Sequence, residues 1–395
     1  MTTWLERHRF LLTFALLSLF MGISVGLAKV TTTLYALHLG AQGWVLGSIA
    51  AAQSLGILFS SLPMGVLVER YGPTRLFMTG SLIAGLLYLL LPLLPSSLFL
   101  LFMTALVSFV MPARFVSLNT VFMAALERMG EARAGWYRGT HMSGMFLIGP
   151  LLAAVVVQAV GHAGSYWLIA AMFLITIWLS PLVLSQYSAP ERDERQRRAS
   201  MGEVLRSVLA DPLARRLAWQ EGAIQALNMY YAFYIVVIAV QSLGLSATGA
   251  GSLVAVQGAA FVFALFVLGG LVSRLGRQAF HWGVALVMLA ALTLAFASRP
   301  VWLWGGGALL GLGLGLLQIE NLTQFSRVGA RLGHGRVAGF SALAGPAGGL
   351  VGGLLGGTLG QWIGLQKVFL VFIPLFLWLV LHTRVRPAPL SGTAA

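Results

Sequence analysis

Long apolar stretches separated by short polar breaks dominate the sequence. A helix needs about 20 apolar residues to cross a bilayer, and the chain contains twelve stretches of about that length or more. Those in the first half are 10–39, 44–68, 76–94, 98–125, 142–160 and 166–184, and those in the second half are 217–240, 248–272, 280–298, 301–322, 337–359 and 365–381. They are too long and continuous for the alternating strands of a membrane barrel. The pattern therefore predicts an all-α membrane protein with twelve transmembrane helices.

One polar break is longer than the others and divides the stretches into two sets of six. It carries a cluster of acidic and basic residues between positions 191 and 198, followed by Ser200-Met-Gly-Glu203. A serine three residues before a glutamate is a capping box that favours the start of a helix. We therefore expect a six-helix bundle over 1–188, a linker with a short helix over 189–216, and a second six-helix bundle over 217–395.

The composition agrees with a membrane protein and excludes several kinds of chemistry. Hydrophobic residues make up 58% and charged residues only 9% of the 395 positions, whereas soluble domains carry about 25% charged residues. The absence of cysteine excludes disulfides, thiolate metal sites and cysteine nucleophiles. The sequence also has no metal-ligand spacing, no phosphate-binding loop and no convergent catalytic set. We expect no metal, no cofactor and no enzymatic activity.

The net charge of +14 has an explanation in membrane topology. Most Lys and Arg residues fall in the N-terminal segment, in the breaks that follow even-numbered stretches, and in the C-terminal tail. Positive residues favour the cytoplasmic side of a membrane, so both termini are predicted to be cytoplasmic. The charge then requires no nucleic acid as a partner. We expect a multi-pass protein of the cytoplasmic (inner) membrane, surrounded by the lipid bilayer.

Two short motifs occur once in each half. Gly65-Val-Leu-Val-Glu69-Arg70-Tyr-Gly72 lies between the second and third stretches, and Gly269-Gly-Leu-Val-Ser-Arg-Leu-Gly276 lies between the eighth and ninth. Gly149-Pro150 in the fifth stretch corresponds to Gly345-Pro346 in the eleventh. Two pairs with similar offsets indicate an internal duplication, which is common in transporters.

These motifs resemble the major facilitator superfamily, and the resemblance covers essentially the whole chain. The loop Gly65–Gly72 looks like that family's signature loop, and Gly144-x4-Gly149-Pro150 is similar to the fifth-helix motif of its proton-coupled antiporters. Ala153 and Ala154 stand where that motif usually has two glycines. The resemblance implies a monomer of 6+6 helices that works by alternating access.

The motifs also provide a set of predicted gating residues. Gly65 would permit close helix approach, and Glu69 could lie near the N-terminus of the eleventh span, where negative charge is favourable. Arg70 and Arg75 could pair with Glu127 or Glu131 to form a latch; the alternative is a plain positively charged turn. In the eleventh span, small residues permit close packing and proline favours a kink. This span could be a moving hinge or a rigid, tightly packed helix. The gating set is Gly65, Glu69, Arg70, Gly72, Arg75, Glu127, Gly149, Pro150, Gly345 and Pro346.

Four charged residues lie within the spans, where charge costs roughly 2.5 to 3.5 kcal/mol and is usually functional. They are Lys29, Arg114, Glu221 and Glu320, on the first, fourth, seventh and tenth spans. In the resembled fold these four helices line the central cavity. Lys29 could instead extend to the membrane surface, Arg114 could be a cytoplasmic anchor, and Glu221 could be solvated at the interface.

Glu320 is the acid deepest within a span, and we expect it to be the proton-coupling residue. Arg114 would pair with it in one state and separate from it in the other. A purely structural ion pair and direct contact with substrate are the alternatives. Glu221, Gln225 and Asn228 share one helix face with Tyr231, and Gln318 and Asn321 flank Glu320. The predicted substrate-binding set is Lys29, Arg114, Gln225, Asn228, Tyr231, Gln318 and Asn321.

The main functional prediction is a secondary active transporter that exports a small organic molecule in exchange for protons. Two deep cations favour an anionic, siderophore-like substrate, whereas the tyrosines of the seventh span would suit an amphipathic drug. The export direction depends on the Gly149-Pro150 motif alone. The alternative is a proton-linked importer of a carboxylate or a sugar-like nutrient.

Overall fold

The computed structural model describes residues 2–129, 134–185, 206, 210–332 and 334–382. Every regular element within these ranges is helical, which confirms the predicted all-α membrane class. The helices of the first half are α1 (Thr2–His38), α2 (Gly43–Tyr71), α3 (Pro73–Leu90), α4 (Ser97–Val110), α5 (Pro112–Met129), α6 (Ala134–Ser143) and α7 (Gly149–Leu184). Those of the second half are α8 (Pro212–Val237), α9 (Ala247–Val267), α10 (Gly269–Leu275), α11 (Arg277–Ala295), α12 (Pro300–Leu332), α13 (His334–Ile363) and α14 (Phe372–His382).

Short segments of other helical types continue some of these helices. Single π-helical turns occupy Gly144–Ile148 and Ile238–Ser242, and 3-10 segments occupy Leu91–Leu93 and Leu365–Val371. The Asp211 side chain caps α8 by accepting hydrogen bonds from the Leu213 and Ala214 amides, each at 2.9 Å. An aspartate at this position satisfies amides that have no partner within the helix.

The described part of the chain shows fewer separate candidate spans than the twelve predicted. Within the described ranges, nine helical segments are long and apolar enough to cross a membrane, and a bent pair, 343–363 with 365–381, adds a tenth. One of the nine, Gly139–Leu184, has 46 residues. At about 1.5 Å per residue it is more than twice as long as a bilayer core is thick. Gly161 interrupts it with a φ of 70° that only glycine adopts readily.

Close helix pairs meet at glycines. A Cβ atom on Gly353 of α13 would lie 2.5 Å from the Ala51 amide nitrogen of α2. Gly352, on another face of α13, would meet the Ala226 carbonyl of α8 in the same way. Small residues allow such approach in lipid, where no hydrophobic effect drives helices together. Helix α13 therefore packs against both halves of the molecule.

Helices α2 and α13 touch at the end near the α1–α2 turn. Gly47 and Gly357 are in backbone contact near the α1–α2 turn. Towards the α2–α3 turn, a Cβ on Gly65 would have no neighbour within 4 Å. Among the described residues, none makes the predicted close approach at Gly65.

Candidate functional site

A network of amides and carboxylates joins α8 to α12, and we call it the carboxylate network. Its members are Gln220, Glu221, Gln225, Gln318, Glu320 and Asn321. The Glu221 carboxylate accepts hydrogen bonds from the side-chain amides of Gln225 at 3.0 Å, Gln318 at 3.1 Å and Asn321 at 2.7 Å. Glu221 is only 9% exposed. The expectation that it could be solvated at the interface is therefore wrong, because the helices pack over it and neutral donors replace water.

Glu320 occupies the second position of this network. It is 7% exposed, and its carboxylate accepts a hydrogen bond from the Gln220 side-chain amide at 2.9 Å. Within the described residues, neither Glu320 nor Glu221 forms an ion pair. Buried carboxylates are usually paired with cations. Here, neutral amides alone supply the donors.

The amides of the network have unused oxygens. The side-chain oxygens of Gln220, Gln318 and Asn321 are buried and have no hydrogen-bond partner. A side-chain amide carries donors on its nitrogen and an acceptor on its oxygen. Rotating the amide group by half a turn therefore places the acceptor where the donors were. A protonated carboxyl needs an acceptor, and an ionised one needs donors. The network can thus serve both protonation states of a carboxyl without an ion pair being broken.

Arg114 lies apart from the carboxylate network. It is completely buried in α5, and its guanidinium donates a hydrogen bond to the Thr176 hydroxyl at 3.1 Å. Its charged carbon lies 3.9 Å from the Phe173 ring centre and 5.5 Å from that of Phe77. The expected pair of Arg114 with Glu320 is absent from this structure, because aromatic rings of α3 and α7 hold the guanidinium.

Lys29 lines a cavity of about 110 Å³ within the first half, which we call the Lys29 cavity. Its walls come from α1 to α5 and the π-helical turn before α7. The polar residues of the wall are Lys29, Thr32, Gln53, Ser54, Tyr88, Thr104 and Ser108. Arg114 is not among the residues that line this cavity.

Comparison with sequence families agrees with this arrangement of helices. The family model of the Major Facilitator Superfamily matches residues 11–327 and 222–395, which together span nearly the whole chain. The chain belongs to the major facilitator superfamily. It is therefore a transporter by family, as the sequence motifs indicated. No curated protein matches the chain in sequence.

Solved structures of superfamily transporters share the fold. The crystal structure of the nucleoside transporter NupG aligns with a TM-score of 0.73 and 14% identity, over 95% of this chain and 100% of that one. A single-residue variant of NupG aligns with a TM-score of 0.76 and 14% identity, over 94% and 98% of the two chains. At this identity the likeness demonstrates a common fold.

The superfamily signature loop forms the turn between α2 and α3. Gly72 adopts a φ of 85° at this turn, which explains its need for glycine. Arg70 and Arg75 are exposed, and Arg70 lies over the Tyr71 ring at 5.3 Å. The side chains of Glu69 and Glu127, and residue Glu131, lie outside the described residues. The latch therefore remains a prediction.

The Gly-Pro motifs of the superfamily lie at packed surfaces. A Cβ on Gly149 would lie 2.8 Å from the Cα of Gly26 in α1, and Pro150 is buried beside it. On α13, Gly345 faces Glu221 and Gln225 of the carboxylate network. Helix α13 continues through Pro346. Packing accounts for Gly149 without reference to the direction of transport.

The predicted substrate-binding residues fall into separate groups. Gln225, Gln318 and Asn321 all bind Glu221 in the carboxylate network. Asn228 and Tyr231 turn instead to α9: the Asn228 oxygen accepts from Gln257 at 3.2 Å, and the Tyr231 hydroxyl donates to the Leu253 carbonyl at 3.0 Å. Lys29 in its cavity and Arg114 among its aromatic neighbours form two further, separate groups.

Sequence reasoning missed three polar residues of these sites. They are Gln220 in the carboxylate network, and Gln53 and Thr104 in the wall of the Lys29 cavity. The available signal was a glutamine within an apolar stretch, which occurs at Gln53 in the second span and at Gln220 in the seventh. An uncharged amide is costly in lipid without a partner. Such residues merit the same scrutiny as charges.

Proposed function

We propose that this transporter is a proton-linked importer of a small, sugar-like polar nutrient. The observation that carries the proposal is the carboxylate network, whose buried acids are held by neutral amides and can gain a proton without breaking an ion pair. The alignment with a nucleoside transporter supports a solute that bears a sugar. Hydroxyl groups of such a solute would donate to carboxylate and amide oxygens.

Glu320 is the proposed proton carrier, with Glu221 as a second acid in the same network. Helices α8 and α12 shield each carboxylate from water. Its protonation state can therefore respond when water from one side of the membrane gains access to it. Arg114 has no direct part in this proposal, since its guanidinium is engaged by Thr176 and Phe173. Proton coupling is thus assigned to the second half of the chain.

The proposed topology has twelve crossings in two bundles, 1–188 and 217–395, with both termini in the cytoplasm. The breaks at Gly161 and Gly364 support this count, since each divides a long apolar segment into two lengths sufficient to cross a bilayer. With this orientation the α1–α2 turn is extracellular. The contact of α2 with α13 at that end then corresponds to a state closed to the outside.

Import is preferred to export because the argument for export is weakened. It depended on Gly149-Pro150, and the contact of Gly149 with Gly26 in α1 explains that glycine as a packing requirement. We therefore assign the direction to import.

Uptake by purified protein in proteoliposomes tests the proposal. Radiolabelled uridine, glucose and glucuronate are added outside, with a pH-sensitive dye trapped inside and an inside-alkaline gradient. We expect at least one of these solutes to accumulate, accompanied by protons moving in the same direction. Proton movement opposite to the solute would instead identify an antiporter. Solute equilibration with no proton movement would contradict the proposed coupling.

A further inference from the structure

Among the described residues, the wall of the Lys29 cavity includes at least three hydrogen-bond donors that have no partner. The Lys29 ammonium lines the cavity with no hydrogen bond or ion pair to any described residue. The Gln53 side-chain nitrogen and the Thr104 hydroxyl are buried in the same wall and are also unpartnered. Ser108 differs, because its hydroxyl donates to the Ala105 carbonyl and accepts from the Gly56 amide.

In the sequence, every acidic residue before the linker lies outside the predicted spans. Before the linker, the only Asp or Glu residues are Glu6, Glu69, Glu127 and Glu131. All four lie near the ends of the predicted spans, whereas Lys29 and the cavity lie within them. The two acids in the spans of the second half are engaged by amides. A charge inside a membrane protein normally has a partner, so the counter-charge for Lys29 has to come from a ligand.

The chemistry of the wall selects the kind of ligand. An ammonium, an amide nitrogen and a hydroxyl can all donate, and a carboxylate accepts hydrogen bonds without donating any. Hydrogen bonds from a cation to a carboxylate are stronger than those between neutral groups. The volume of about 110 Å³ is smaller than the cavity of about 150 Å³ that holds benzene. It therefore suits a compact anionic group better than a whole nucleoside.

We infer that the Lys29 cavity binds the carboxylate of the transported solute, and that the solute is a sugar acid rather than a neutral sugar. The inference rests on the proposed function and specifies its substrate class. Lys29 supplies the charge, and Gln53 and Thr104 supply two neutral donors that orient the carboxylate. The hydroxyl groups of the same solute remain available for acceptors elsewhere in the transport path.

Equilibrium binding to the full-length protein in lipid nanodiscs tests this assignment without requiring transport. The probes are two pairs of sugars that differ at one carbon: glucuronate with glucose, and galacturonate with galactose. We expect each acid to bind about tenfold more tightly than its neutral twin, in line with hydrogen bonds to a charged group. Equal or weaker binding of both acids would overturn the inference, and this comparison needs no variant. Absence of binding by both acids would overturn it as well.

Variants then test which residues cause the preference for the acids over the neutral sugars. Lys29→Met should abolish the preference for the acids, and Thr104→Val should reduce it. Lys367→Met is the matched control, because Lys367 lies 3.6 Å from the Phe296 ring centre and does not line the cavity. A preference that survives Lys29→Met would contradict the assignment. If Lys29→Met does not fold, Lys29→Gln serves in its place.

Competition by inorganic anions distinguishes a site for the carboxylate of the solute from a site for any anion. Chloride or phosphate that displaces glucuronate as effectively as unlabelled glucuronate does would show a general anion site, and it would overturn the assignment to substrate. The outcome of these binding experiments can also be distinguished from the outcome of the uptake experiment that tests the proposed function. Acid binding that depends on Lys29, combined with proton movement opposite to the solute, would uphold this inference and reject import.

Discussion

The two halves of this transporter hold charges of opposite sign in different surroundings. In the first half, Arg114 is enclosed by aromatic rings and one hydroxyl, and Lys29 lines a cavity without a partner. In the second half, Glu221 and Glu320 are held by side-chain amides. The charged residues within the predicted spans are thus cations in the first half and acids in the second.

The comparison separates charges that contact a described polar or aromatic side chain from the one that does not, although Nε and Nη1 of Arg114 have no hydrogen-bond partner. Arg114 has a hydroxyl and two rings, and each carboxylate has at least one amide donor. Among the four charges, Lys29 alone has no such contact within the described part of the chain. A charge within a membrane span is expensive when it has no partner. This difference is the reason for assigning substrate binding to the first half and proton exchange to the second.

The largest expected effect comes from removing the acid of the proposed proton carrier. Glu320→Gln should abolish proton-driven accumulation, which for one proton amounts to about tenfold per pH unit of gradient. Exchange of solute across the membrane without a gradient should continue, because that reaction requires no change in protonation. Accumulation and exchange are measured on the same proteoliposomes.

Asp211→Asn is the control for Glu320→Gln. Asp211 is an acid at the start of α8, and asparagine caps helices about as well as aspartate does. This variant should accumulate solute normally. Accumulation that persists in Glu320→Gln and is lost only when Glu221→Gln is added would move the proton carrier to Glu221.

A smaller effect is expected from a methyl group at the contact between the halves. Gly353→Ala should weaken the closed contact of α2 with α13, because the new Cβ would lie 2.5 Å from a backbone nitrogen. Overpacking of this kind costs about 1 to 3 kcal/mol. Cysteine labelling at a site introduced near the α1–α2 turn should then become faster, since the natural chain has no cysteine.

Gly305→Ala provides the matched substitution for Gly353→Ala. A Cβ on Gly305 would have no neighbour within 4 Å, so labelling should remain as in the unmodified chain. If Gly353→Ala also left the labelling rate unchanged, the contact of α2 with α13 would not be the closed gate of this state.

The next prediction tests whether Arg114 stabilises the fold or takes part in transport. Arg114→Lys keeps the charge but loses the flat group that lies over Phe173. We expect a loss of about 1 to 2 kcal/mol in stability, seen as a lower thermal midpoint in nanodiscs. The KM for solute should change little, because Arg114 does not line the Lys29 cavity. An altered KM at an unchanged midpoint would return Arg114 to the substrate site.

The general architecture was predictable because it depends on long apolar stretches. Twelve such stretches are visible in the sequence, and the described structure is helical throughout them apart from Met111, Leu268 and a few residues at their ends. The number of separate helices was harder to predict. Gly161 and Gly364 break the chain by backbone conformation, whereas many other glycines lie within helices and do not.

The charged residues within the spans were visible in the sequence, whereas the contacts that they make in this structure were not. Charge in an apolar span is an obvious signal, which is why Lys29, Arg114, Glu221 and Glu320 stood out. The pairing of Arg114 with Glu320 followed from similar depth in corresponding helices. Depth does not determine the side to which a residue points, and aromatic residues such as Phe173 give no signal in an apolar stretch. Partner identity depends on helix rotation, which the sequence pattern leaves open.

The smallest expected effect compares one tyrosine in each half. Tyr231→Phe removes a hydroxyl that donates to the Leu253 carbonyl at 3.0 Å, and a buried hydrogen bond of this kind contributes about 0.5 to 1.5 kcal/mol. Tyr166→Phe removes a longer hydrogen bond, at 3.3 Å, to Thr32 in the wall of the Lys29 cavity. We expect Tyr231→Phe to lower the thermal midpoint more and to leave the KM unchanged. Tyr166→Phe should alter the KM, because Thr32 loses its partner beside the proposed carboxylate site. An increased KM in Tyr231→Phe would show instead that this residue contacts solute, as its position on the polar face of the seventh span first suggested.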